Sequence, residues 1–212
     1  LFSLRDTKFI HILPYFSFKH IKELFSLSYP RTGVNMLTQG RTIFFTAFAT
    51  TLGPGVLSSY LFAQRITDAV TQIIQQSVTT ASLPVLSKEF VENRFTQYKR
   101  VVKRYVLTLG AIGFFAASAI YFLRDNIITV LYGGTTAHYL ISFFLTGFLF
   151  VLPLHMMVGF FSISLYSAKD TKSVFYSNFI ATLVAVLVCY ITQPLGNISL
   201  VYGVVAMTTS NF

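Results

Sequence analysis

Arg65, Asp68, Gln72, Gln75, Gln76 and Thr79 follow one another at short intervals in the stretch "SSYLFAQRITDAVTQIIQQSVTT". At 100° per residue they fall on one side of a helix, while Phe62, Ile66, Ala69, Val70, Ile73 and Ile74 cover much of the rest. An earlier stretch repeats the pattern: Arg31, Asn35, Thr38, Gln39, Thr42 and Thr46 share a face, with Arg41 on its margin. A guanidinium is a planar fork of donors that matches phosphate oxygens in pairs, and glutamine amides offer both donors and acceptors. The chemistry these residues predict is therefore recognition of a phosphate-bearing or otherwise anionic group in a wet cavity between two helices.

Depth sharpens the expectation. Arg65 lies roughly 14 Å from one end of its apolar stretch and Arg41 roughly 16 Å from the opposite end of the other, at 1.5 Å per residue. An arginine at such a depth costs about 2.5 to 3.5 kcal/mol on a lipid-facing helix, so both are expected in a hydrated or paired site. Arg65 is the first candidate and Arg41 the second, with Gln39, Gln72 and Gln76 as hydrogen-bonding wall, Asp68 beside them and Arg31 at the mouth. The structural alternative is that Asp68, at i+3, pairs with Arg65 and the two merely pin helices together. Two central arginines against one central acid would still leave surplus positive charge.

The elements that must position these residues follow from composition. Of 212 residues, 54% are apolar and only 11% charged, with 23 phenylalanines, which is the balance of a chain in lipid. Apolar stretches at about 30–52, 56–84, 105–123, 138–167, 173–193 and 198–212 predict an all-α, polytopic bundle of six membrane spans over residues 28–212. They are too long and continuous for barrel strands. Residues 1–27 read as a cytoplasmic or interfacial linker with a short amphipathic segment, "KHIKELFSL". Without an initiator methionine or a cleavable leader, and with an apolar pattern running to Phe212, the chain is expected to be a piece of a longer one.

The cations alternate with the spans. The leader holds Arg5, Lys8, Lys19 and Lys22; the second loop holds Lys88, Arg94, Lys99, Arg100, Lys103 and Arg104; the fourth holds Lys169 and Lys172; the intervening connections hold only Arg124. This pattern places the amino end in the cytoplasm and excludes a nucleic-acid partner, which would need the charges on one folded face. Lone Cys189, inside a span, excludes a disulfide or a zinc cluster, and neither metal nor cofactor is expected. No soluble-type catalytic motif occurs. "SKEFVENRFTQYKRVVKR" reads as an amphipathic helix at the cytoplasmic interface. Gly110, Gly113, Ala116 and Ala117 predict close packing of the third span, and Pro153 and Gly159 a kink or tilt in the fourth. His155 beside that kink reads as a side chain hydrogen-bonded to a neighbouring helix.

Residues 58–90 resemble a segment of the MurJ/MviN lipid II flippases, through Ala63, Arg65 and Ile66 and then Leu83, Pro84, Leu86 and Ser87. "ITVLYGG", "LYSAKDTKS" and "YPRTGVNMLTQ" are similar to further motifs of that family, so the resemblance runs from about residue 25 to 212. Gln64 stands where the family has aspartate, and Val174 where it has proline. The resemblance implies the second six-helix lobe of a flippase in the multidrug/oligosaccharidyl-lipid/polysaccharide exporter superfamily. Its companion first lobe, the membrane lipids and a lipid-linked, pyrophosphate-bearing saccharide would be its partners, in the bacterial cytoplasmic membrane. It also carries the family's cavity arginine onto Arg65. An O-antigen or other polysaccharide flippase of the superfamily would have similar spans. Two further classes stay open: a membrane-embedded enzyme acting on polyprenyl phosphates, for which the outer connections supply little beyond Asp125 and His138, and a non-transporting scaffold in which the polar stripe only joins helices.

Overall fold

The computed structural model describes residues 18–133 and 138–211, all of them in helices or short connections. Most of the expected linker, residues 1–17, lies outside the described residues. Six helices follow in order: α1 (Phe18–Thr51), α2 (Val56–Val91), α3 (Phe95–Tyr132), α4 (His138–Ser167), α5 (Thr171–Thr192) and α6 (Ile198–Ser210), with a 3-10 turn at Gln193–Leu195. The "KHIKELFSL" segment is the beginning of α1 rather than a separate interfacial element. Among the described residues, α3, α4 and the stretch Thr171–Leu195 are long and apolar enough to cross a membrane. The polar stripes keep α1 and α2 out of that set, although each is longer than a bilayer core requires.

The connections are short and chemically determined. The α1–α2 turn uses glycine with positive φ at Gly53 (133°) and Gly55 (79°), conformations a Cβ disfavours. Asp170 caps α5 by accepting from the Ser173 N–H at 3.1 Å. The segment predicted as one interfacial helix, "SKEFVENRFTQYKRVVKR", is instead a corner. Asn93 takes φ 56°, the Arg94 N–H bonds the Glu89 carbonyl at 3.0 Å, and α2 ends at Val91 while α3 begins at Phe95. Phe90 stacks edge-on against Phe95 and Tyr98, each at 5.8 Å, and buries the inside of the corner. The Tyr98 hydroxyl donates to the Ser164 carbonyl at 2.6 Å and lies 3.1 Å from Ser167 Oγ, tying the start of α3 to the end of α4.

Small residues set the helix spacing. A methyl on Gly113 would sit 3.0 Å from Pro153 Cα and from Met156 Sδ, so α3 and α4 meet backbone to backbone there. Tyr105 against Phe160 and Arg124 against Thr146 extend the same antiparallel pairing in both directions. Gly203 of α6 takes Cys189 of α5 and Phe45 of α1 against its bare face, and the cysteine is wholly buried. The helices sort into two groups: α2 packs on α4 and α3, whereas α1 packs mainly on α5, and α5 on α6. Sequence neighbours α1 and α2 touch comparatively little, so a gap opens between them.

Candidate functional site

That gap is the mouth of a cavity of about 610 Å³, bounded by α1, α2, α4 and α6. Beyond Tyr60, six polar residues of α2 line it, Gln64, Thr67, Asp68, Thr71, Gln72 and Gln75, spaced by threes and fours along about 16 Å of helix. From α1 come Thr38, Gln39, Arg41 and Thr42, and from α4 comes His155. The threonine hydroxyls turn back onto their own helices: Thr38 bonds the Val34 carbonyl at 2.9 Å and Thr71 the Thr67 carbonyl at 2.9 Å. The carboxylate, amides and guanidinium are thereby left as the groups that can reach a ligand.

Aromatic rings close the end nearest the α1–α2 turn. Buried Tyr60 stacks with Phe45 at 6.4 Å and meets Phe144 and Phe148 edge-on at 5.9 and 5.4 Å. Phe45, Tyr60 and Phe148 form the cavity floor at that end, and polar lining begins one helical turn away, at Arg41 and Gln64. Gly159 of α4 carries the side chain of Gln75 directly against its Cα, which lets this amide sit between α2 and α4.

Of the residues singled out from sequence, Arg41, Gln39, Asp68 and Gln72 line the cavity. Arg65, Gln76 and Arg31 do not. Arg65 is exposed, one residue or 100° away from the stripe through Gln64 and Asp68, because packing on α4 turns α2 by about one position from the register expected. Gln76 is displaced in the same sense by one residue from Gln75. Arg31 lies farther along α1, with its guanidinium 5.7 Å from the ring centre of Tyr166 at the end of α4.

The helix-pinning pair is not formed. Arg94–Glu92 and Arg124–Asp125 form ion pairs, whereas among the described residues none of Arg65, Arg41 and Asp68 joins one. Within the lining Arg41 and Asp68 offset each other in formal charge, so the surplus expected from two arginines becomes a balance once Arg65 stands outside. Sequence reasoning placed His155 in a hydrogen bond and passed over Gln64. His155 has no hydrogen-bond partner among the described residues, and its position in a span was the signal.

A helical bundle with several helices long and apolar enough to cross a membrane, holding a polar, partly charged cavity between them, has the architecture of a membrane transporter. The model of the MatE family matches residues 30–191, and the chain belongs to that family, whose members are transporters of the multidrug/oligosaccharidyl-lipid/polysaccharide exporter superfamily. No curated protein and no solved structure matches the chain.

Proposed function

We propose that this chain is one six-helix lobe of a lipid-linked saccharide flippase. The substrate is of the lipid II type, a polyprenyl pyrophosphate saccharide in a bacterial cytoplasmic membrane, with the amino end of the chain cytoplasmic. Its headgroup enters the cavity while its tail stays in the bilayer, and the lobe rocks against a companion lobe to alternate access.

One observation carries this reading: the half-buried guanidinium of Arg41 opens into a glutamine-lined cavity with no ion-pair or hydrogen-bond partner among the described residues. A guanidinium at this depth with no direct partner keeps its donors free for an anion even beside Asp68, and pyrophosphate offers paired acceptors to its fork. Arg65 is exposed beside the stripe, which leaves it available to a companion lobe in this reading.

The test uses the complete protein in liposomes, with a fluorescent lipid-linked pyrophosphate saccharide read by a membrane-impermeant quencher. A charged hydrogen bond is worth about 1.5 to 3 kcal/mol, so Arg41→Gln is expected to slow flipping about 10- to 100-fold with Arg41→Lys intermediate. Unchanged flipping by correctly inserted Arg41→Gln would refute the role. Asp68, also in the lining and without an ion pair, favours a second reading, transport of a cationic substrate. Loss of transport in Asp68→Asn with Arg41→Gln intact would select it.

A further inference from the structure

A second cavity, of about 680 Å³, lies toward the end of the bundle where α3 meets α4 and shares no lining residue with the first. Its lining includes Arg124 and Asp125 of α3, His138, Tyr139 and Thr146 of α4, and Tyr202 of α6. The long apolar run of α3, residues 105–123, is interrupted at Arg124 and Asp125, eight residues before the helix ends at Tyr132, which suits a cavity near the level where hydrocarbon gives way to headgroups.

Arg124 is held from three sides. Its Nη1 donates to Thr146 Oγ1 at 3.2 Å, its Nε lies 3.6 Å from Asp125 Oδ1, and its guanidinium carbon lies 4.6 Å from the ring centre of Tyr121. The Thr146 hydroxyl spends its own proton on the Ser142 carbonyl at 2.8 Å, so its oxygen is fixed as the acceptor. These contacts leave Nη2 without a partner among the described residues. The Asp125 side chain is 64% exposed and accepts only through that long contact, so it keeps acceptor capacity facing solvent. The side chain of Arg124, in contrast, is 29% exposed.

A fixed guanidinium edge next to an open carboxylate complements a group carrying phosphate and ammonium together. Phe143, Ile198 and Val201 line the same cavity and offer an apolar wall for a glycerol backbone and the first methylenes. We infer that this cavity binds the headgroup of an amine-bearing phospholipid, with phosphate on Arg124 and ammonium on Asp125. The juxtaposition explains why an acid and a base stand adjacent in the last turns of α3, in a stretch otherwise free of charge, and it is independent of what the central cavity carries.

The experiment is native mass spectrometry of the complete, delipidated protein with equimolar phosphatidylethanolamine and phosphatidylglycerol. Wild type is expected to retain phosphatidylethanolamine in preference. Arg124→Ala is expected to weaken both lipids about 10-fold, since each loses a charged hydrogen bond. Asp125→Asn is expected to keep phosphatidylglycerol and bring the preference close to parity. Thr146→Val removes the hydroxyl that orients the guanidinium while keeping the side-chain shape, and is expected to weaken binding even if Arg124→Ala folds poorly. Competition by water-soluble glycerophosphoethanolamine supports headgroup recognition and tells whether the free compound is itself a ligand, whereas displacement by headgroup-free dioctanoylglycerol alone overturns it. Wild-type retention in Arg124→Ala and Thr146→Val, or an unchanged preference in Asp125→Asn, also overturns it.

Discussion

Gly113 gives the most quantitative test of how this bundle is held together. A Cβ built there meets Pro153 Cα and Met156 Sδ at 3.0 Å and Pro153 N at 3.5 Å. Carbon atoms prefer about 3.5 to 4.0 Å, so Gly113→Ala requires α3 and α4 to separate by about 0.5 to 1 Å at their closest point. The obstacle is backbone, and Pro153 has no alternative rotamer that clears it. Overpacking of this kind costs about 1 to 3 kcal/mol, a factor of about 5 to 150 in the folding equilibrium. Gly110, one turn away, provides the comparison. There the methyl would meet Met157 Sδ at 2.8 Å and Cγ at 3.1 Å, atoms at the end of a flexible thioether that can swing aside, so Gly110→Ala is expected to cost less than about 1 kcal/mol. Gly40, in α1, has nothing within 4 Å, and Gly40→Ala is expected to be neutral or to stabilise by up to about 1 kcal/mol through helix propensity. Reversible unfolding of the three complete proteins in mixed detergent micelles, followed by circular dichroism, measures the order. If Gly113→Ala is as stable as wild type, or less harmful than Gly110→Ala, then α3 and α4 do not meet through their backbones and the arrangement described is wrong.

Three other outcomes are expected. Cysteine at Gln72 should react with a membrane-impermeant maleimide while cysteine at Phe150, 79% exposed on the apolar surface of α4, should not; wholly buried Cys189 leaves the background low, and equal labelling would argue against a hydrated cavity. Tyr98→Phe removes the hydroxyl that bonds the Ser164 carbonyl and should lower stability by about 1 kcal/mol in the same unfolding assay, without moving the transport rate of the folded fraction. Gly159→Ala displaces the Gln75 amide from its seat on α4, and transport by the complete protein should fall several-fold while Gly40→Ala leaves it unchanged; equal rates would mean that the seat of Gln75 has no bearing on transport.

The helices were legible because apolar stretches of membrane length leave few alternatives, and the small residues of α3 announced its packing on α4. The break at Asn93 was not legible. The amphipathic period runs through it unchanged, and only the contacts of Phe90 with Phe95 and Tyr98 favour a corner over a straight rod. The polar stripe of α2 was visible but its centre was not. Sequence periodicity fixes the angle between residues and leaves open which of two neighbours faces inward, so Gln64 and Arg65 could not be ranked. That choice is made by α4, where Gln75 seats on Gly159 and Tyr60 on Phe144, and it brings Gln64 rather than Arg65 into the lining. His155 was seen and given a structural part because a single histidine carries no periodicity; its role depends on which space α4 turns it toward.

The 38 residues of α3 run without a break from the corner at Asn93 to Gly133, about 57 Å at 1.5 Å per residue, nearly twice the hydrocarbon thickness. Such a member behaves as a stiff lever. Pivoting about Gly113 near its middle by about 5°, it carries each end, about 28 Å away, through about 2.5 Å, so modest repacking at one contact is delivered as movement at both ends of the helix. Spin labels on Lys99 and on the far end of α3 would therefore register a rocking of the bundle long before any change was measurable at the cavity itself.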